Sequence, residues 1–336
     1  MRCPSPDVGS RPHPPARAAG AAVIIYNPAA ADLSRLRPAV AQAERALGLP
    51  RSTWRPTSPG TNPQPLVERA LAAGASVVVA AGGDGTVRDV GAALTGGDVP
   101  LGILPVGTAN LLARNLALPV SNLRAAALVA LGPTTRRIDA ATVTLARDHQ
   151  VVRRQTFFVM AGFGVDSDMV LGADPLLKRH LGWTAYVQPI VRSLFRRGRT
   201  ATAYRLDDGH PVHAAVHTML VGSCSTLAGG LPILPNAVVD DGLLDVLTLV
   251  SISPHHLART VGWLGGRWLG HRAKALAAGA PVGEERSPES FRYATARQIT
   301  VRLARPTAVE ADGDIVGTAS QLRFTVQQRA LAVRVR

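Results

Sequence analysis

The run Ser76–Ala81 (SVVVAA) passes without a break into Gly82-Gly83-Asp84-Gly85-Thr86, and few patterns leave a chain less choice. A continuous β-branched and small apolar run, with no polar alternation, belongs to a strand buried on both faces, as in a parallel sheet flanked by helices. Consecutive glycines at its end let the backbone approach a ligand and leave amides pointing outward at the next helix, a cradle for an anion. Asp84 binds phosphate poorly by itself. It reads either as a residue that holds Mg²⁺, directly or through water, or as the cap of a tight turn. The loop is not a dinucleotide fingerprint, because Arg88 stands where G-x-G-x-x-G needs its third glycine.

A second loop repeats the design. Leu104–Pro119 reads LPVGTANLLARNLALP; Gly107-Thr108 follows a strand at Pro100–Leu104 and opens a helix over Ala109–Asn115, with Thr108 and Asn110 as polar groups at its start. Upstream, the pattern predicts a strand at Ala22–Tyr26, a helix from an Asp32 cap to a Gly48 stop, a strand at Ser52–Arg55 and a helix over Pro65–Ala73. A helix through Leu94 and another over Ser121–Leu131, capped by Ser121, complete the alternation. Strand and helix at these intervals give an open parallel α/β sheet, and two glycine loops at the ends of parallel strands suit a nucleotide at its carboxyl edge.

The pattern changes near Pro133. Short β-like segments then dominate: Arg137–Leu145, Thr156–Met160, Ala214–Val221, Leu244–Leu249, Gln298–Leu303, Gln321–Thr325 and Leu331–Val335. Their spacing argues a β-sandwich, interrupted by helical stretches at 176–195 and 254–277. The expected organisation is a disordered leader at 1–20, an α/β domain at 21–133 and a β-sandwich domain at 134–336, with the active cleft between the two.

Composition narrows the chemistry. The only lysines are Lys178 and Lys274, neither followed by Ser or Thr, so no P-loop is present, and neither stands in a protein-kinase V-A-I-K context. Cys3 and Cys224 are the only cysteines, which gives no disulfide framework or cysteine zinc cluster and suits a reducing compartment. No apolar run approaches the length of a membrane span. The net charge of +14 points to a polyanionic partner, whether nucleic acid, an anionic membrane or a phosphorylated ligand, or else to a genome rich in Arg codons. No aromatic residues are interleaved with the charge, so nucleic acid is not an expected partner.

GGDGTV followed by P-x-G-T-x-N-x-L-A-R-N-L-x-L-P resembles the diacylglycerol-kinase catalytic family, which includes soluble bacterial lipid kinases and the sphingosine and ceramide kinases. Gly162-Phe163-Gly164-Val165-Asp166, GLPILPNAVVDDGLLD up to Asp245, and Asp312-Gly313-Asp314 follow in the order expected. The resemblance implies a nucleotide-binding first domain and a β-sandwich second domain. It assigns ATP contacts to Asn27, Pro28, Thr57, Gly83, Asp84, Gly85, Thr86, Val87 and Thr108, and a structural Mg²⁺ to Asp241 with the carbonyls of Val238 and Leu243. It makes Asp314 the base toward a lipid hydroxyl, with Asp312 helping to position metal or base. Glu310 is a reserve carboxylate, since residues 310, 312 and 314 of a strand would share a side.

The sequence departs from the family at three places. Ala29-Ala30-Ala31 replaces the x-S-G of N-P-x-S-G, Arg88-Asp89 replaces N-E, and Asp314 replaces the Glu of D-G-E. The arginine at 88 either contacts phosphate or faces solvent. His256–Lys274 and Lys178–Arg199 carry Trp and basic residues and read either as interfacial helices for an anionic membrane surface or as helices packed on the sandwich. The expected activity is transfer of the γ-phosphate of Mg-ATP to a lipid hydroxyl, diacylglycerol giving phosphatidic acid. The alternatives are an NAD kinase-like enzyme and a nucleotide- or lipid-binding protein without turnover. The expected location is cytoplasmic with peripheral membrane attachment; monomer and homodimer both stay open.

Overall fold

The structure is a computed structural model, and it describes residues 20–58, 60–164, 199–226, 233–250 and 291–336. The leader, the two helical stretches at 176–195 and 254–277, and the tryptophans placed on them lie outside these residues. The first half alternates as expected: β1 (Val23–Tyr26), α1 (Leu33–Leu47), β2 (Thr53–Pro56), α2 (Gln64–Ala72), β3 (Val78–Gly82), α3 (Asp84–Leu94), β4 (Leu101–Pro105), α4 (Leu111–Asn115) and α5 (Leu123–Leu131). The four strands run parallel in the order β2-β1-β3-β4. All of β3 and β4 is buried, as apolar runs without alternation require. Asp32 caps α1 by accepting from the Ser34 amide, and Gly48 ends it at φ 65°. At α5 the cap is Asn122, whose side chain accepts from the Ala125 amide, and not Ser121. Both residues can cap, and the one three positions before that free N–H wins.

The second half is a β-sandwich built from β5 (Thr135–Arg147), β6 (Gln150–Phe157), β7 (Met160–Phe163), β8 (Thr200–Leu206), β9 (Val212–Val216), β10 (Thr218–Gly222), β11 (Leu244–Leu249), β12 (Phe291–Ala296), β13 (Gln298–Ala311) and β14 (Asp314–Arg334). Four expected strands are drawn differently. Ala214–Val221 divides at His217, with β9 on β8 and β10 between β7 and β11. Thr156–Met160 divides between β6 and β7, where two backbone amides turn inward. Gln321–Thr325 and Leu331–Val335 are one strand, because a bulge between Gln327 and Leu331, with Arg329 at φ 49°, absorbs the polar insertion.

That last strand joins the halves. Val333 pairs in parallel with Leu101 of β4, so one hydrogen-bonded network runs from the parallel sheet into the sandwich. Ile138, Ala140, Phe158, Leu331 and Val333 share a core with α2, α3 and one face of the parallel sheet; α1 and α5 cover the other face. Gly91 makes this packing possible. A Cβ there would lie 2.9 Å from the Phe158 ring, so any side chain would push the second half off α3. A separate cluster around Phe157, Phe163, Ile299, Leu322 and Phe324 fills the sandwich.

Candidate active site

Parallel pairing aligns the strand ends, since Tyr26 sits beside Pro56 and Ala81, and Gly82 beside Pro105. The loops that follow are tied to one another. The Asn27 amide donates to the Ala81 carbonyl at 3.0 Å, the Thr57 amide to the Tyr26 carbonyl at 2.8 Å, and the Val106 amide to the Gly82 carbonyl at 3.3 Å. Asn27, Pro28, Thr57, Gly83–Val87 and Thr108 therefore meet at one sheet edge. Asn27 closes its own turn, accepting from the Ala29 amide at 3.0 Å.

The two glycine loops touch. A Cβ on Gly107 would lie 2.4 Å from the Gly83 Cα, and one on Gly82 would run into Thr86. Asn110, buried and left-handed at φ 49°, braces the second loop by accepting from the Gly107 amide (3.1 Å) and donating to the Gly107 carbonyl (2.8 Å). Asp84 crosses between the loops. Its Oδ1 accepts from the Leu111 amide at 2.5 Å and so caps α4, while burial raises its pKa. That bond gives Asp84 a structural task independent of any metal.

Opposite the loops, Asp312-Gly313 forms a two-residue hairpin turn between β13 and β14. Both residues have positive φ, 47° and 89°, and Ala311 pairs with Asp314, the arrangement for which Asp-Gly is favoured. The turn overturns the expectation that 310, 312 and 314 share a strand face: Asp314 lies on the returning strand, and Glu310 pairs with Ile315 and Gly162. Asp312 is buried. Its carboxylate accepts from the amides of Phe158 (2.9 Å), Val159 (2.9 Å) and Met160 (3.1 Å). Burial raises its pKa to about 6, against the pull of those amides and of Arg88. The inward-turned amides between β6 and β7 thus belong to Asp312, and they fix the hairpin.

Arg88 does not face solvent, and its Nη2 lies 3.8 Å from the position of a Gly85 Cβ, beside the first glycine loop. It is 7% exposed and reaches from α3 to the hairpin. Its Nη1 donates to the Ala311 carbonyl at 3.0 Å and to Asp314 Oδ2 at 2.8 Å, and its Nε donates to Asp89 at 2.9 Å. Burial opposes its charge, but Asp89, with Asp312 and Asp314, more than offsets this and raises its pKa. The Asp314 side chain stays 55% exposed. It lies over the start of α3, 3.0 Å from where a Gly85 Cβ would be. A carboxylate consequently faces the anion cradle of the first glycine loop. Arg88 could have been found from spacing, because it falls on the buried stripe of Val87, Val90, Gly91 and Leu94.

The Asp240-Asp241-Gly242 loop is anchored elsewhere, on β5 and β14. Asp139, buried, accepts from the amides of Gly242 and Arg329 at 2.7 Å each. Asp240 takes both ends of the Arg136 guanidinium at 2.8 and 2.9 Å. Asp241 Oδ1 accepts from the Leu243 amide at 2.9 Å. Asp245 is buried beside Tyr293, and burial raises its pKa to about 6, with Asp241 adding to the rise. Among the described residues no three His, Cys, Asp or Glu side chains converge on a metal position. A cation at Asp241 would take one carboxylate and backbone carbonyls, an oxygen-only set that fits Mg²⁺, and it would offset the repulsion of Asp241 on Asp139 and on Asp245.

Among the described residues no helix is long and apolar enough to cross a membrane. Residues 21–143 match the diacylglycerol kinase catalytic domain, and residues 159–335 match the YegS C-terminal NAD kinase beta sandwich-like domain. A Pseudomonas fluorescens Pf-5 protein named "probable lipid kinase YegS-like" is 32% identical over 304 residues, 88% of this chain and 89% of that protein. A Mycobacterium tuberculosis protein named diacylglycerol kinase is 33% identical over 194 residues, 58% and 61% of the two chains. The crystal structure of a diacylglycerol kinase from Bacillus anthracis superposes with a TM-score of 0.63 over 94% of this chain and 97% of that one, and at 19% identity it speaks for the fold alone. With both domains matched in order along nearly its whole length, this chain belongs to the diacylglycerol kinase catalytic-domain family, phosphotransferases with an alcohol group as acceptor.

Proposed function

We propose that this chain transfers the γ-phosphate of Mg-ATP to the hydroxyl of a membrane lipid, with diacylglycerol as acceptor and phosphatidic acid as product. Residues 21–133 bind the nucleotide and residues 134–336 the lipid. One observation carries the reading: the Asp314 carboxylate stands over the N-terminal turn of α3, 3.0 Å from the position of a Gly85 Cβ, where a phosphate in the glycine loop would present its terminal group.

The roles are those that the family resemblance implies. Asn27, Pro28, Thr57 and Thr108 line the nucleotide site, and the amides of Gly83, Asp84, Gly85, Thr86 and Val87 hold its phosphates at a helix N-terminus. The lipid hydroxyl oxygen bonds to the γ-phosphorus as the bond to the ADP oxygen breaks. Its proton passes to Asp314. Asp314 does this while held by Arg88, and Asp312 keeps the hairpin in register through three amides. Such a transfer depends on positioning and charge more than on a strong base, so an aspartate serves. Asp241, with the carbonyls of Val238 and Leu243, would hold a structural Mg²⁺; a Mg²⁺ bound with the nucleotide would supply charge neutralisation at the phosphate oxygens. The enzyme acts in the cytoplasm and attaches peripherally to the bilayer that holds its acceptor.

The test is transfer of radiolabelled γ-phosphate from Mg-ATP in mixed micelles of diacylglycerol, monoacylglycerol, phosphatidylglycerol, sphingosine and ceramide, with NAD as a soluble acceptor and Asp314→Asn as the control. Label on diacylglycerol, lost in the variant, is expected. Label on NAD alone refutes the reading. ATP binding with no labelled acceptor leaves a binding protein.

A further inference from the structure

We propose that the outer face of the sandwich, formed by β6, β5, β14, β13 and β8, docks on an anionic bilayer surface through a registered array of arginines. The proposal rests on the lipid-kinase reading only for the kind of polyanion it names. Strand register sets Arg154, Thr144, Arg323, Thr300 and Arg205 side by side across the five strands. The next row on that face holds Ala146, Gln321, Arg302, Ala203 and, on β9, His213. Alternation along a strand sends the other set inward, and Val143, Leu145, Val301, Leu322 and Phe324 do lie in the sandwich core.

Four exposed guanidiniums therefore share one side, spanning about 19 Å at the usual spacing of strands. They surround a shallow basin of about 730 Å³ with no Asp or Glu in its lining. Among the described residues none of the four makes an ion pair; the salt bridges engage Arg88, Arg136 and Arg137. Cations set in two rows without counter-charges gain nothing for folding, and they repel one another. A polyanion that spreads over the whole face removes that repulsion.

The shape favours a bilayer over nucleic acid. Most of the lining lies on flat strands, with Thr, Ala and Gln between the arginines, and among the lining residues neither Phe nor Trp is present and the one Tyr, Tyr204, is buried, so His149 and His213 are the exposed rings. Val151, 55% exposed, stands at the rim and can enter the headgroup layer. Position agrees as well. Arg154 lines both this basin and a neighbouring cleft of about 680 Å³ that contains Arg88 and Asp89, so docking by this face brings the lipid surface to the side of the molecule on which α3 carries Arg88.

The test uses the full chain and vesicle co-sedimentation, comparing 30% phosphatidylglycerol in phosphatidylcholine with phosphatidylcholine alone. The variant is Arg205→Gln/Arg302→Gln/Arg323→Gln. The control is Arg45→Gln/Arg51→Gln/Arg124→Gln, which removes equal charge from exposed positions on the other half. Each arginine near an anionic leaflet contributes about five-fold to partitioning, so the face variant should bind anionic vesicles about 100-fold more weakly. The control should bind as wild type, and wild-type binding should fall with added salt. Phosphorylation of a water-soluble short-chain diacylglycerol should be unchanged in the face variant. Wild-type binding by the face variant, an equal loss in the control, loss of soluble activity, or loss of duplex DNA binding with vesicle binding intact would each overturn the proposal. If the wild type binds vesicles through this face yet phosphorylates no lipid, the kinase reading fails and the docking surface stands.

Discussion

Replacing Arg88 by Met, which keeps the bulk and deletes the donors, should separate positioning from nucleotide binding. The buried Ala311 carbonyl loses a donor, at a cost to stability of about 1–3 kcal/mol. The two lost ion pairs, to Asp314 and Asp89, add little, below about 1 kcal/mol each, because those side chains are 55% and 35% exposed. The catalytic effect is larger. With its 2.8 Å anchor gone, Asp314 is free to shift by about 1 Å, which costs on the order of 100-fold in rate, or about 2.7 kcal/mol. Asp314→Asn alone should cost about 10²–10⁴-fold. If Arg88 acts through Asp314, the double variant is no slower than Asp314→Asn, and the cycle returns a coupling of about 2.7 kcal/mol. Steady-state kinetics on folded proteins, checked by thermal melts, measure this. A further 100-fold loss in the double variant would refute the reasoning. So would a rise in KM for ATP at unchanged kcat, since that would put the guanidinium on the nucleotide.

Three other outcomes follow from the structure. Gly107→Ala should destabilise by about 1–3 kcal/mol and abolish ATP binding, because its Cβ meets the Gly83 Cα at 2.4 Å, whereas Gly83→Ala, whose Cβ lies 3.6 Å from Gly107, should melt as wild type. The Asp312 pKa is raised to about 6 by burial, so its contribution to stability is present below about pH 4 and is lost as pH rises through 6; urea midpoints should show the gap between wild type and Asp312→Asn narrowing from pH 4 to 7. Mg²⁺ at ten times its dissociation constant should stabilise the wild type by about 1.4 kcal/mol, and chelation or Asp241→Asn should remove the effect in a thermal melt.

The parallel sheet was legible because its signals are local. The runs of β3 and β4 each end in a glycine loop and that of β1 in Asn27-Pro28, and parallel pairing then brings Asn27, Thr57, Gly83 and Thr108 to one edge without further information. The second half was less so. A polar insertion such as Gln327–Ala330 reads as a strand end, and only the partner strand reveals that it is a bulge in a 21-residue strand. The partners of the contacts between the halves were not legible. Asp312 finds its amides more than 150 residues away, and Arg88 finds Asp314 at a separation of 226; no period in the sequence encodes either distance. The buried stripe of α3 did hold a clue, since an arginine in register with Val87 and Gly91 must have a partner inside.

Two of the departures from the family pattern turn out to be one feature. Arg88 stands where the family resemblance leads one to expect the Asn of N-E, Asp314 where it leads one to expect the Glu of D-G-E, and here the two side chains touch at 2.8 Å. A carboxylate one methylene shorter reaches about 1.5 Å less far, and a guanidinium anchored on Asp89 and the Ala311 carbonyl fixes it at that shorter reach. The pair should therefore be exchangeable only together. Asp314→Glu alone drives a longer side chain into Arg88 and the start of α3, where Asp314 Oδ2 already lies 3.0 Å from the position of a Gly85 Cβ. Arg88→Asn alone leaves the short carboxylate without its anchor. Each single variant should lose about 10–100-fold in kcat, and Arg88→Asn/Asp314→Glu should recover to within a few-fold of wild type in the lipid-labelling assay. A double variant slower than both singles would show that the two positions are independent, and that Asp314 works at its shorter reach without help from Arg88.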